Sequence, residues 1–104
     1  MGLDSNISNQ FKKIFSLFSS KNFNEAEQLA LKVIKKLDNS SPNNLSLLFN
    51  ILGAINNNKK KFNKAILYYK KAIKLNKHQY DYYYNLAISY KGNFDEVVDD
   101  INKM

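Results

Sequence analysis

One proline, Pro42, and three glycines, Gly2, Gly53 and Gly92, are the only strong breakers in 104 residues. A chain with so little punctuation must fold into long regular elements. The spacing of its apolar residues says which kind. Phe11, Ile14, Phe15 and Phe18 recur at i, i+3, i+4 and i+7, one face of a helix. After the tight-turn segment Ser19-Ser20-Lys21-Asn22, the same period returns in Phe23, Ala26, Leu29, Ala30, Val33, Ile34 and Leu37. The run from Asp38 to Asn44 holds the proline and reads as a linker, with Asn43 or Asn44 placed to cap the next helix. Leu45, Leu48, Phe49, Leu52 and Ile55 predict a third helix ending at Asn56-Asn57-Asn58. Phe62, Ala65, Ile66, Tyr69, Ala72, Ile73 and Leu75 predict a fourth. Past the connector Asn76-Lys77-His78-Gln79, a fifth helix carries Tyr80, Tyr83, Leu86, Ala87 and Tyr90. A turn at Gly92-Asn93 then leads to a short sixth with Phe94, Val97, Val98 and Ile101. Short loops of this kind favour antiparallel neighbours.

The length suits one domain and is too short for two ordinary ones. Hydrophobic residues make up 44% of the chain, enough for a core. Cysteine is absent, which removes disulfides, thiolate catalysis and cysteine–zinc sites together, and a reducing, cytoplasmic location is expected. Residues 1–7 read as an N-terminal tail. Its start, Met1-Gly2-Leu3-Asp4-Ser5-Asn6, has neither the basic nor the apolar region of a signal peptide. No apolar run approaches the ~18 residues of a membrane span.

Catalysis needs a poised acid, base or nucleophile. The only histidine, His78, falls in a connector beside Lys77 and reads as a solvated turn residue. Asp95 with Asp99, and Glu96 with Asp100, are i,i+4 pairs on the last segment, which read as a solvated acidic face rather than a metal site. No catalytic residue, metal site or cofactor is expected, and the chain reads as non-enzymatic. The net charge of +7 comes entirely from lysine. Without arginine, bidentate recognition of phosphate or guanine is unavailable. Eight of the lysines lie at 59, 60, 61, 64, 70, 71, 74 and 77, in a stretch with no acid between Asp38 and Asp81. Interleaved with Phe62, Tyr68 and Tyr69, this block reads first as a solvated lysine face. Contact with a nucleic acid or an anionic surface stays open as an alternative.

The chain also repeats. Lys21-Asn22-Phe23-Asn24-Glu25-Ala26 matches Lys60-Lys61-Phe62-Asn63-Lys64-Ala65, and both match Gly92-Asn93-Phe94-Asp95-Glu96-Val97. The offsets bracket the roughly 34-residue period of the tetratricopeptide repeat. The central unit resembles that family: Phe49 in the usual Trp place, Leu52-Gly53 in the Leu-Gly place, then Phe62-x-x-Ala65, Tyr69, Ala72 and Leu75. It departs from the pattern at Asn56, where Tyr is usual, and at Lys77, where Pro is usual. The resemblance covers nearly the whole chain, with units at about 8–38, 46–79 and 80–104. It implies an all-α solenoid of three antiparallel helix hairpins, the last truncated. Small Gly53 and Ala65 would let the helices of a hairpin cross closely.

The resemblance further implies that the first helix of each hairpin lines a concave groove. Its candidate residues are Lys12 and Ser16 in the first unit, with Ser19 beside them. In the second they are Leu47, Asn50, Ala54 and Asn57, and in the third Asp81, Tyr84, Ile88 and Lys91. This mixed lining suits a protein or an extended peptide held by side-chain amides and a tyrosine. The carboxylate clamp of one subclass is not expected, because Asp81 would repel the ligand. Because the family is also fused to glycosyltransferases and sulfotransferases, a recruitment segment of such an enzyme is a further alternative. The last hairpin carries no polar cap, so Val97, Val98 and Ile101 would be partly uncovered: either copies pair through this end or further repeats follow it.

Overall fold

A computed structural model describes residues 5–37 and 41–104. Within them the chain is all-helical: α1 Ser5–Ser19, α2 Phe23–Lys36, α3 Pro42–Asn58, α4 Phe62–Leu75 and α5 Tyr80–Asn102. Residues 1–4 of the expected tail and 38–40 of the expected linker lie outside the described residues. The helices fall into two compact units, Met1–Ser41 and Pro42–Met104. No described helix is long and apolar enough to cross a membrane.

In the first unit α1 packs on α2. Phe11 and Ile14 are buried on α1, and Ala26, Ala30 and Val33 at i, i+4, i+7 on α2. Phe18 and Phe23 meet edge to face at 5.6 Å across the turn, the arrangement ring quadrupoles favour. In the second unit α3 packs on α4, and α4 on α5. Leu48, Leu52 and Ile55 are fully buried on α3, Ala65, Tyr69 and Ala72 are buried on α4, and Tyr82 is buried on α5. Full burial of each such aliphatic side chain is worth about 1.5–3 kcal/mol. Gly53 is buried beneath Tyr69: a Cβ there would lie 2.6 Å from its ring carbon Cδ1. Burial pushes the Tyr69 phenol up to about 12, so the ring enters the core uncharged.

The turns after α1 and α3 are built alike. Lys21 and Lys60 adopt the left-handed conformation, with φ of 65° and 61°. In the first turn Asn22 N–H donates to Leu17 O at 2.8 Å and Lys21 N–H to Phe18 O at 3.0 Å. In the second, Lys61 N–H donates to Asn56 O at 2.8 Å and Lys60 N–H to Asn57 O at 3.0 Å. Both are Schellman closures, which satisfy the last carbonyls of a helix. The residues aligned in the sequence at these two places therefore share one backbone conformation. Neither lysine is suited to it, because a Cβ in this region clashes with the next carbonyl oxygen. Lys21→Gly and Lys60→Gly are each expected to stabilise the chain by about 0.5–1 kcal/mol, the strain relieved minus the extra entropy of glycine in the unfolded state. Urea midpoints that fall instead of rising would show that the turns are not closed this way.

The third copy of the motif behaves differently. No turn forms at Gly92-Asn93, no sixth helix begins, and α5 runs unbroken from Tyr80 to Asn102. The third hairpin expected from the sequence is therefore a single long helix. Gly92 is not at positive φ; it lies against the ring of Phe62, and a Cβ there would be 2.7 Å from Cζ. Lys91 Nζ reaches Asp95 Oδ2 at 2.7 Å, an i,i+4 pair spanning the place where the sequence predicts the turn.

Smaller boundaries also move. Pro42 opens α3, at the position where a missing N–H costs nothing. Asn43 and Asn44 consequently lie inside the first turn rather than capping it. The first helix begins at Ser5, three residues before the expected start at residue 8. Phe15, which shares the α1 period with Phe11 and Ile14, is exposed.

Candidate functional site

Helices α3 and α5 are joined by a line of polar side chains. Ser46 Oγ donates to Asn43 O at 2.9 Å, so at its 3.3 Å contact with Tyr82 it accepts from the phenol. One turn on, Asn85 Nδ2 donates to Asn50 Oδ1 at 3.0 Å. Further along, Ser89 Oγ donates to Asn57 Oδ1 at 2.8 Å. The three pairs ascend both helices together, so α3 and α5 run side by side in the same direction along this seam. Ser46, Tyr82 and Ser89 are buried, where an unpartnered hydroxyl would cost about 1–3 kcal/mol. Asn50, Asn57 and Asn85 are half-buried.

Of the eight groove candidates of this unit, Asn50 and Asn57 belong to the seam itself. Leu47, Asn50, Ala54 and Asn57 recur at i, i+3, i+7 and i+10 on α3, and all four are half-buried. Asp81, Tyr84, Ile88 and Lys91 recur with the same spacing on α5, and all four are exposed. Tyr84 is 70% exposed. Because hydrogen bonds tie Asn50 and Asn57 to α5, these two stripes lie next to each other. Lys12 and Ser16, like Ser19, are exposed on α1, in the first unit.

The seam leaves hydrogen-bonding groups over at the surface. Asn50 and Asn57 each spend the carbonyl oxygen on α5, which leaves their NH₂ groups as donors at a half-open surface. Asn85 spends an N–H and keeps its carbonyl as an acceptor. These donors and this acceptor lie along one face of the second unit. Tyr84 and Ile88 add apolar area beside them. Among the described residues, no three histidine or acidic side chains converge to hold a metal ion. Asp95, Glu96, Asp99 and Asp100 are spread along exposed α5, with Asp95 engaged by Lys91.

Asn85 and Ser89 are not among the sequence candidates, yet they orient two residues that are. The signal in the sequence is faint: two polar residues at i, i+4 on a stripe whose other members, Tyr82 and Leu86, are apolar.

Two of the eight lysines of the block, Lys70 and Lys71, sit over aromatic faces. Lys71 Nζ lies 5.5 Å from the Phe49 ring centre and 5.9 Å from that of Tyr68. These two rings stack at 6.2 Å. Lys70 Nζ lies 5.8 Å from the Tyr90 ring centre. Such cation–π contacts are worth about 0.5–1 kcal/mol at exposed sites. In the first unit, Lys13, Leu17, Glu25, Gln28, Leu29 and Lys32 line an open, mostly polar cleft between α1 and α2.

Compared with protein-family models, curated proteins and solved structures, the chain gives no match.

Proposed function

We propose that this chain is a non-enzymatic helical-repeat module of the tetratricopeptide type that binds an extended peptide along the α3–α5 face. The observation that carries the binding reading is the amide seam, in which Asn85 fixes Asn50 and Ser89 fixes Asn57. Side chains held in place lose less entropy when a ligand arrives, and that preorganisation raises affinity. The twin Schellman turns at Lys21 and Lys60 support the repeat reading, since equivalent sequence segments adopt equivalent backbones.

The alternative contact with a nucleic acid or anionic surface through residues 59–77 has less support, because Lys70 and Lys71 lie over rings of their own unit. The recruitment-segment alternative rests on the family resemblance alone.

Selection from a random peptide library, followed by titration of the winning peptides, tests the proposal. Combined Asn50→Ala, Tyr84→Ala and Lys91→Ala replacement is expected to weaken those peptides by about tenfold or more with the helical circular dichroism unchanged. Peptides that bind the replaced chain equally well would place recognition elsewhere.

A further inference from the structure

Helix α5 carries a second stripe, distinct from the one flanking the seam. Tyr83, Ala87, Tyr90, Phe94, Val97 and Ile101 are spaced 4, 3, 4, 3 and 4 residues apart. That is the alternating spacing of a coiled-coil seam, held for about 27 Å at 1.5 Å per residue. All six are exposed, Phe94 by 67%, Ile101 by 60% and Val97 by 49%. The face that α5 buries in its own unit is a different one, with Tyr82 and Ser89 at its centre. A contiguous apolar stripe of this size on a surface helix marks an interface.

We propose that the stripe pairs with the same stripe of a second copy of this chain, the two α5 helices running antiparallel about a two-fold axis between Tyr90 and Phe94. Two features of the molecule select that occupant. The first is the spacing itself: 4-3-4-3-4 reads the same in both directions. An antiparallel copy therefore sets Tyr90 against Phe94, Ala87 against Val97 and Tyr83 against Ile101, all in register. Self-complementarity of this kind is what a two-fold interface requires.

The second is charge. The half of α5 beyond the proposed axis holds Asp95, Glu96, Asp99 and Asp100 and no base, with Lys103 following the helix. The other half is bordered by the lysine-rich end of α4. Lys70 reaches the stripe at Tyr90, Tyr83 Oη donates to Lys77 O at 3.2 Å, and Lys74 is exposed in the last helical turn of α4. Antiparallel pairing brings the acidic half of each copy to the basic border of the other, at both ends at once. A parallel pair would set acid beside acid. Such complementarity fixes orientation and suppresses wrong registers.

The full chain, with a mass of 12.1 kDa, is tested by sedimentation equilibrium over a range of concentrations. A concentration-dependent dimer is expected. Phe94→Glu is expected to weaken it by about tenfold or more, whereas Tyr84→Glu, on the other stripe, leaves it unchanged. Lys74→Glu and Asp100→Lys should each weaken the dimer and restore part of it when combined in one chain. Orientation is read by cross-linking, which is unambiguous because the chain has no cysteine of its own. A mixture of Ala87→Cys and Val97→Cys chains is expected to form a mixed disulfide under mild oxidant, and Ala87→Cys alone is not. A chain monomeric at millimolar concentration overturns the proposal, as does a dimer indifferent to Phe94→Glu or one that cross-links through Ala87→Cys alone. Because the peptide-binding replacements lie on the other stripe, either proposal can fail while the other stands.

Discussion

Asn93→Pro is expected to destabilise the second unit by about 3 kcal/mol or more. Asn93 lies in the interior of α5, which spans Tyr80–Asn102. Proline there removes the N–H that bonds to the carbonyl of Ser89, and its ring strikes that same carbonyl. Ser89 is the buried residue whose hydroxyl fixes Asn57, so the damage reaches the amide seam. A lower urea midpoint and a weaker helical signal are the expected readings. The substitution separates two accounts of one segment. In a chain that turned at Gly92-Asn93, proline would be tolerated, and a wild-type midpoint would falsify the continuous helix.

The second large effect is expected at Gly53. In an ordinary helix interior, Gly→Ala stabilises by about 1 kcal/mol, because alanine loses less backbone entropy. Here the sign should reverse. The new Cβ would sit 2.6 Å from Tyr69 Cδ1, and Tyr69 is only 3% exposed, so its ring has little room to yield. Overpacking of this kind costs about 1–3 kcal/mol, and Gly53→Ala is expected to lower stability by that order. Tyr69→Leu removes the obstructing ring edge. In a double-mutant cycle the two changes should therefore couple strongly, the pair together costing less than their sum. A Gly53→Ala chain as stable as the wild type would mean the ring moves freely, contrary to its burial. Gly92→Ala poses the same question more gently, because Phe62 is only half-buried and can rotate aside.

Much of the fold is legible from short stretches of sequence. The period of Phe62, Ala65, Ile66, Tyr69, Ala72 and Ile73 fixes α4 to the residue, and the polar run at 76–79 fixes the connector after it. The shared motif at Lys21 and Lys60 points to equivalent turns, and the backbone there is equivalent. Helical period and loss of it are local properties, set by residues within one or two turns of each other, so a linear reading captures them.

The third copy of the motif shows where that reading stops. Glycine answers two different needs: freedom to take positive φ, and the lack of a Cβ where another group must come close. The sequence cannot tell these apart. At Gly92 the second need governs, because Phe62, thirty residues earlier, packs against it, and the helix continues. The seam is the same kind of case. Asn50 and Asn57 stand out as surface amides, but their partners Asn85 and Ser89 lie 35 and 32 residues away. The sequence by itself determined that the chain is helical, where four of its helices stop, and which residues each could display. Only the tertiary structure decided that the last helix runs unbroken and which amides meet. Those outcomes depend on contacts between helices, and a contact that links distant residues leaves no periodic trace along the chain.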